Sequence, residues 1–139
     1  MDVIEVVEGW LYSTLTDDSN VSSIVGTRVF DQPPKEGTEY PFIIYNGGSF
    51  QDIRGVGITR FVSGTIYTVK AVAQTSDASV LSTLAGYIDD ALTLAGGIAV
   101  TGGTVLSSVR ERSVNYREFS GGKHFVHRGG EYAILAQTS

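Results

Sequence analysis

The stretch from Val25 to Tyr45 constrains the fold of this chain more than any other part of the sequence. It predicts a short strand near Arg28–Asp31 and a second strand near Pro41–Asn46. Between them, the Pro33-Pro34 pair forbids a helix and holds the connection extended. Pro41 lacks a backbone N–H, so it suits the first residue of a strand, where no ladder donor is lost. No residue of this stretch is a candidate for catalysis, so we expect its role to be structural.

The N-terminal segment has the pattern of an amphipathic helix. Asp2 and Glu5 have capping-box spacing, and apolar residues then recur at steps of three and four. These residues are Ile4, Val7, Leu11 and Leu15, with Trp10 beside the stripe. The helix is expected to end near residues 17–18, because its dipole disfavours the two aspartates there. A short extra turn over residues 20–25, closed by Gly26, is expected to follow.

A second helix is predicted in the middle of the chain. Ser76 or Asp77 would cap its start, and the Gly96-Gly97 pair would stop it. Its apolar residues recur at helical spacing along the whole segment: Leu81, Leu84, Ala85, Ile88, Ala91, Leu92 and Ala95.

The remaining segments have the patterns of strands and turns. After Thr65, apolar and polar residues alternate, which predicts a half-buried strand with Tyr67, Val69, Ala71 and Ala73 on one side. Residues 46–64 are punctuated by glycines and show no sustained period, which indicates a long loop or a loose protruding hairpin. Beyond Thr104 the apolar residues fall on one side of the strand before Arg110–Arg112 and on the other side after it, which indicates a bulge or two separate strands.

Together these elements predict a single α+β domain over residues 1–139. Its sheet is expected to be mainly antiparallel, with two helices packed on one face and a glycine-rich protruding loop or hairpin. A chain of 139 residues can form one core but is short for a catalytic domain with a lid.

Composition and charge exclude several classes of protein. The net charge is −5 and the ten basic residues form no run, which disfavours direct binding to the phosphate backbone of a nucleic acid. The chain has no cysteine, which rules out disulfides and thiolate metal sites. Its start has no basic region and no long apolar run, so we expect no signal peptide. No stretch approaches the run of about 18 apolar residues that a spanning helix needs, so we expect no membrane span.

The titratable residues show no recognised catalytic or metal-binding spacing. His124 and His127 would point to opposite faces of a strand, and both are expected to be surface or rim residues. Neither aspartate pair, at 17–18 or at 89–90, has the spacing of a calcium loop. Gly55-Val56-Gly57 lacks the remainder of a phosphate loop, and no Gly-x-Ser-x-Gly motif occurs. We therefore expect no catalytic residue, cofactor or metal.

Two groups of residues are candidates for contacts with other proteins. The glycine-rich stretch offers aromatic, aliphatic and charged side chains, and the later strands offer arginines beside a tyrosine. The second group is equally compatible with a solvated strand face and with the polar rim of a protein–protein interface. The candidates are Phe50, Asp52, Ile53, Arg54, Arg110, Arg112, Tyr116 and Arg117.

Several short motifs follow one another in an order that is informative as a whole. They are Leu11-Tyr12-x-x-Leu15, then Val25-Gly26-Thr27-Arg28-Val29-Phe30, a proline pair, Tyr40-Pro41-Phe42-Ile43-Ile44-Tyr45, a strand that runs into Ser76 and a helix to Leu92, and finally His127-Arg128-Gly129-Gly130-Glu131-Tyr132. This order resembles the tail terminator family of long-tailed bacteriophages, also called tail-completion or tail-to-head joining proteins. The resemblance covers most of residues 8–136.

The resemblance implies a non-enzymatic virion subunit that closes into a ring, typically of six copies. Such a ring caps the tail tube at its head-proximal end, stops polymerisation of the tube protein and presents a surface to the head connector. It assembles in the bacterial cytoplasm, and DNA passes through its channel without specific binding. An acidic chain suits such a channel wall. Two alternatives stay open: another virion part, such as a head-closure, neck or tube protein, and a small enzyme or ligand-binding module unrelated to phage.

Overall fold

The computed structural model of the chain describes residues 2–54, 60–74 and 78–139. Three helices and six strands lie within these ranges. In chain order they are α1 (Val3–Asp17), α2 (Ser19–Val25), β1 (Val29–Phe30), β2 (Phe42–Arg54), β3 (Arg60–Gln74), α3 (Ala78–Leu92), β4 (Ile98–Val100), β5 (Gly103–Ser120) and β6 (Lys123–Thr138). None of these three helices is both long and apolar enough to cross a bilayer.

The six strands form one mixed sheet in the order β1-β2-β3-β6-β5-β4. β1 runs parallel to β2, and every other neighbouring pair is antiparallel. The predicted α+β class is therefore confirmed. Residues 46–54 and 60–64, for which a loop or hairpin was expected, are strand residues of the β2–β3 hairpin, whose register shifts between Gly47 and Phe50 and between Ile53 and Arg54. Residues 55–59, which connect β2 to β3 in the sequence, lie outside the described residues.

The first helix begins as the sequence predicts. The Asp2 side chain accepts a hydrogen bond from the Glu5 N–H at 3.0 Å, and the Glu5 carboxylate accepts one from the Asp2 N–H, so the capping box is confirmed. The buried stripe is Val6, Val7, Trp10, Leu11 and Leu15. Ile4, expected on this stripe, is instead 44% exposed. The prediction for Ile4 is wrong because the side of α1 that packs on the core is centred on the residues from Val6 onward and leaves Ile4 outside it.

The extra turn expected after α1 is a seven-residue helix, α2. Asp18 ends α1 and starts α2, since its carboxylate accepts hydrogen bonds from the N–H groups of Asn20 and Val21 at 3.0 Å. Gly26 closes α2 with a φ of 60°. The third helix buries Leu81, Leu84, Ile88 and Leu92. The caps expected at Ser76 or Asp77 lie outside the described residues.

The two faces of the sheet differ in what covers them. Buried residues of all three helices share one core cluster with Tyr67, Val69 and Ala71 of β3, and we call this side of the sheet the covered face. The opposite side, which carries Ile66 and Lys70 of β3, is the uncovered face. A second, smaller cluster lies on the uncovered face and consists of Phe42, Ile44 and Val72, with Phe30 and Tyr40 packed against it.

The long β5–β6 hairpin ends in a tight glycine turn. Gly121 and Gly122 have φ values of 59° and 78°, as a two-residue hairpin turn requires. The register between β5 and β6 shifts between Arg110 and Arg112, so the predicted bulge is confirmed. β5 is thus one bulged strand, and the alternative of two separate strands is wrong.

Candidate assembly surfaces

The structure separates the candidate contact residues into two groups at opposite sides of the sheet. One group lies on β2 and the other on β5, with β3 and β6 between them. The β2 group is Phe50, Asp52, Ile53 and Arg54, and the β5 group is Arg110, Arg112, Tyr116 and Arg117. Each copy of the chain therefore carries two different candidate surfaces, as a head-to-tail contact requires.

Within the β2 group, the side chains differ in exposure and face. Phe50 is half-buried on the covered face, where its ring packs edge-on against Tyr67 with centroids 6.1 Å apart. The Asp52 carboxylate accepts a hydrogen bond from the Ser63 hydroxyl at 2.5 Å. Ile53 and Arg54 are exposed. Phe50 is thus part of the edge of the core, and Ile53 is the exposed apolar side chain of the group.

Ile53 belongs to a larger apolar patch that the sequence did not reveal. On the uncovered face, the registers place Ile66 of β3, Ala133 of β6 and Val109 of β5 side by side, and Leu135 lies next to them. Ile53, Ile66, Val109 and Leu135 are 49%, 49%, 55% and 38% exposed, and they line a groove of about 800 Å³. We call these residues, with Ala133, the apolar row. This row is a candidate contact surface, because contiguous exposed apolar side chains can be buried against another protein.

The β5 group lies on a strand that is exposed along most of its outer half. From Val109 to Ser120 all residues except the half-buried Val114 are exposed. Arg110 Nε lies 3.9 Å from the Asp89 carboxylate, and Arg112 Nε lies 3.4 Å from that of Glu131. Asp89 also accepts a hydrogen bond from the Tyr132 hydroxyl at 3.0 Å, so it is more than a solvated residue of α3. Arg117 forms no ion pair with any described residue.

Tyr116 is fixed on the uncovered face by a cluster of polar contacts. Its ring stacks on that of His127 with centroids 4.4 Å apart and planes 9° apart. Its hydroxyl lies 2.6 Å from Lys70 Nζ. His127 Nε2 lies 2.8 Å from a Glu118 carboxylate oxygen. These contacts tie the outer half of β5 to Lys70 of β3 and His127 of β6.

His127 is buried, and its expected position at the surface is wrong. Its side chain is 8% exposed because β6 lies between β3 and β5 inside the sheet and Tyr116 covers the ring. Burial lowers the pKa of His127, the hydrogen bond to Glu118 opposes this shift, and the nearby Lys70 charge adds to it. Nδ1 has no hydrogen-bond partner among the described residues. His124 lies on the other face, beside the Phe119 ring.

The described residues contain no group of three histidines, aspartates or glutamates placed to hold a metal ion. A second groove, of about 380 Å³, lies between the loop at Pro33–Tyr40 and the uncovered face, and His127 and Glu118 line it. Its walls mix apolar side chains, such as Tyr40 and Phe42, with polar and charged ones, such as Glu36 and Lys70. The Gly55-Val56-Gly57 motif lies outside the described residues.

Comparison with known proteins adds one finding about the fold. No protein-family model matches the chain, and no curated protein matches it. A chain in the solved structure of the virion of a native gene transfer agent (GTA) particle is similar, with a TM-score of 0.66. The two chains are 16% identical, and the match covers 91% of this chain and 92% of that chain. The likeness therefore spans nearly the whole length of both chains and shows that they share a fold.

Proposed function

We propose that this protein is a non-enzymatic structural component of a phage-like virion, and more narrowly a tail terminator. The observation that carries the proposal is the fold shared with a chain of a gene transfer agent virion over 91% of this chain. The order of sequence motifs points independently to the tail terminator family. Neither argument depends on a catalytic group.

In this role, copies of the chain form a ring, of six by family resemblance. The ring sits at the head-proximal end of the tail, ends polymerisation of the tube protein and offers its other side to the head connector. The two groups of candidate contact residues on β2 and β5 support a head-to-tail ring, because each copy brings two different surfaces. The net charge of −5 suits a channel through which DNA moves without adhering.

Electron microscopy and a tube-length assay test this function. The purified protein, alone or mixed with polymerising tube protein, is expected to form rings with a central hole and to shorten the tubes. Long tubes built from this protein itself would instead identify it as a tube subunit. A protein that forms no ring and leaves tube length unchanged would contradict the proposal.

A charge-reversal pair tests the role of the β5 group. Arg117→Glu changes an exposed arginine on β5, and Lys35→Glu makes the same change of charge on the exposed loop before β2. We expect Arg117→Glu to reduce ring formation and Lys35→Glu to leave it unchanged. If both variants lose ring formation equally, the change in net charge explains the loss. If both form rings as well as the parent chain, Arg117 is not part of the interface.

A further inference from the structure

Two strands of the sheet have a long outer edge with no strand partner among the described residues. β1 pairs with β2 only at Ile43 and Ile44, which leaves residues 45–54 of β2 paired on one side alone. β4 and Leu94 pair with β5 only as far as Ser108, which leaves residues 109–120 paired with β6 alone. We call these segments the β2 free edge and the β5 free edge. Unpaired N–H and C=O groups along such an edge accept another strand.

The strand directions decide how the two free edges can meet. β2 is antiparallel to β3, β3 to β6, and β6 to β5. β5 therefore runs opposite to β2. Rotation about a ring axis preserves the direction of a strand along that axis, so β5 of one copy meets β2 of the next copy in antiparallel orientation. Pairing of β5 with β5 would instead give a closed dimer.

We propose that the β5 free edge of one copy pairs with the β2 free edge of the next copy as antiparallel strands. This inference rests on the ring function proposed above and identifies the contact that builds the ring. The covered faces of neighbouring copies then lie on the same side of one continuous sheet. The shared backbone hydrogen bonds supply the contact, and the side chains along both edges select the register.

The positions of the two free edges along the sheet are compatible with ring closure. The register pairs allow both edges to be measured along β3. The β2 free edge runs from Tyr45, which pairs with Val69, to Arg54, which pairs with Arg60. The β5 free edge starts at Val109, which lies across from Ile66 of β3 through Ala133 of β6. Near the other end of the β5 free edge, Glu118 pairs with Phe125 of β6, which pairs with Gln74 of β3.

The midpoints of the two edges are therefore offset by about six residues, or ~20 Å along the strands. Over four strands about 4.8 Å apart, this offset corresponds to a strand tilt of about 45°, at the upper end of the tilts found in closed barrels.

Cysteine cross-linking of the assembled protein tests this pairing, because the chain has no cysteine of its own. With the offset above, Val114 lies opposite Gln51 of the next copy. Through their registers both residues are on the uncovered face, whereas Ser113 is on the covered face. The test variant is Val114→Cys with Gln51→Cys, and the matched control is Ser113→Cys with Gln51→Cys. Rings, free or on tube ends, are treated with a short bis-maleimide and separated under denaturing conditions.

We expect the Val114–Gln51 variant to give a ladder of covalent oligomers, and the Ser113–Gln51 control to give at least tenfold less. Val114→Cys alone is expected to remain monomeric after treatment. Rings without a ladder, or with equal ladders in both variants, overturn the pairing and leave the ring function intact. Dimers from Val114→Cys alone also overturn it, since they show β5 against β5. A chain that never assembles, alone or on tubes, overturns the ring function and the pairing with it.

Discussion

Adding one methyl group at Gly129 tests the packing at the centre of the sheet. Gly129 is a buried residue of β6, opposite Lys70 of β3 and Val114 of β5. A Cβ atom at this position would overlap the carbonyl oxygen of Val69 and would lie 2.6 Å from the Cα atom of Lys70. Both atoms belong to the backbone of β3, so no change of rotamer can relieve the overlap. The strands themselves must separate.

Overpacking of a core usually costs about 1–3 kcal/mol, and a clash with backbone belongs at the upper end of that range. We therefore expect Gly129→Ala to lower the free energy of unfolding by about 3 kcal/mol. For a chain of this length, this corresponds to a fall in Tm of about 10 °C.

The matched control is the same change at Gly86, an exposed position in α3 where an added methyl group would have no atom within 4 Å. Gly86→Ala is expected to raise the free energy of unfolding by up to about 1 kcal/mol, because alanine favours a helix interior over glycine. Urea unfolding followed by circular dichroism measures both variants. If Gly129→Ala unfolds at the same urea concentration as the parent chain, the close approach of β6 to β3 is refuted.

Three further variants or conditions have expected outcomes. The free energy of unfolding should fall as the pH drops below the ordinary histidine pKa of 6.5, because burial lowers the pKa of His127 and the unfolded chain then binds the proton more readily. Urea midpoints at pH 7.5 and 5.5 test this, and His127→Gln should weaken the dependence. Asp18→Ala removes the cap of α2 and should cost about 1 kcal/mol in the same urea assay; no change would refute the cap's contribution. Tyr67→Phe removes the 2.8 Å hydrogen bond to Glu8 and should cost about 1 kcal/mol, provided the far-ultraviolet spectrum is unchanged; an unchanged midpoint would count against that bond.

The parts of the fold that follow local rules could be predicted from the sequence. Asp2 and Glu5 form the expected capping box, since both partners lie within one helical turn. The alternation after Thr65 assigns Tyr67 and Val69 to the covered face, because side chains alternate along a strand. The change of phase near Arg110 marks the bulge for the same reason.

The parts that depend on distant residues could not be predicted. The glycines at 47 and 48 indicate a loop or a loose hairpin, yet this segment is part of β2, and a Cβ at Gly47 would lie 2.6 Å from the Tyr67 ring. Here glycine makes room for an aromatic ring that is 20 residues away in the sequence. The burial of His127 and the apolar row depend likewise on the order of strands across the sheet, which local pattern does not reveal. Ile66 was an available signal, because it is an apolar residue at a β3 position where the alternation otherwise places polar residues such as Thr68 and Lys70.

The position of β6 has a consequence for how the molecule is made. It follows every other described element along the chain, yet it lies between β3 and β5 at the middle of the sheet. Until β6 is synthesised, the first three strands and the β4–β5 pair therefore cannot join into one sheet. In the ring proposed above, a subunit able to bind its neighbours would therefore form only after that step.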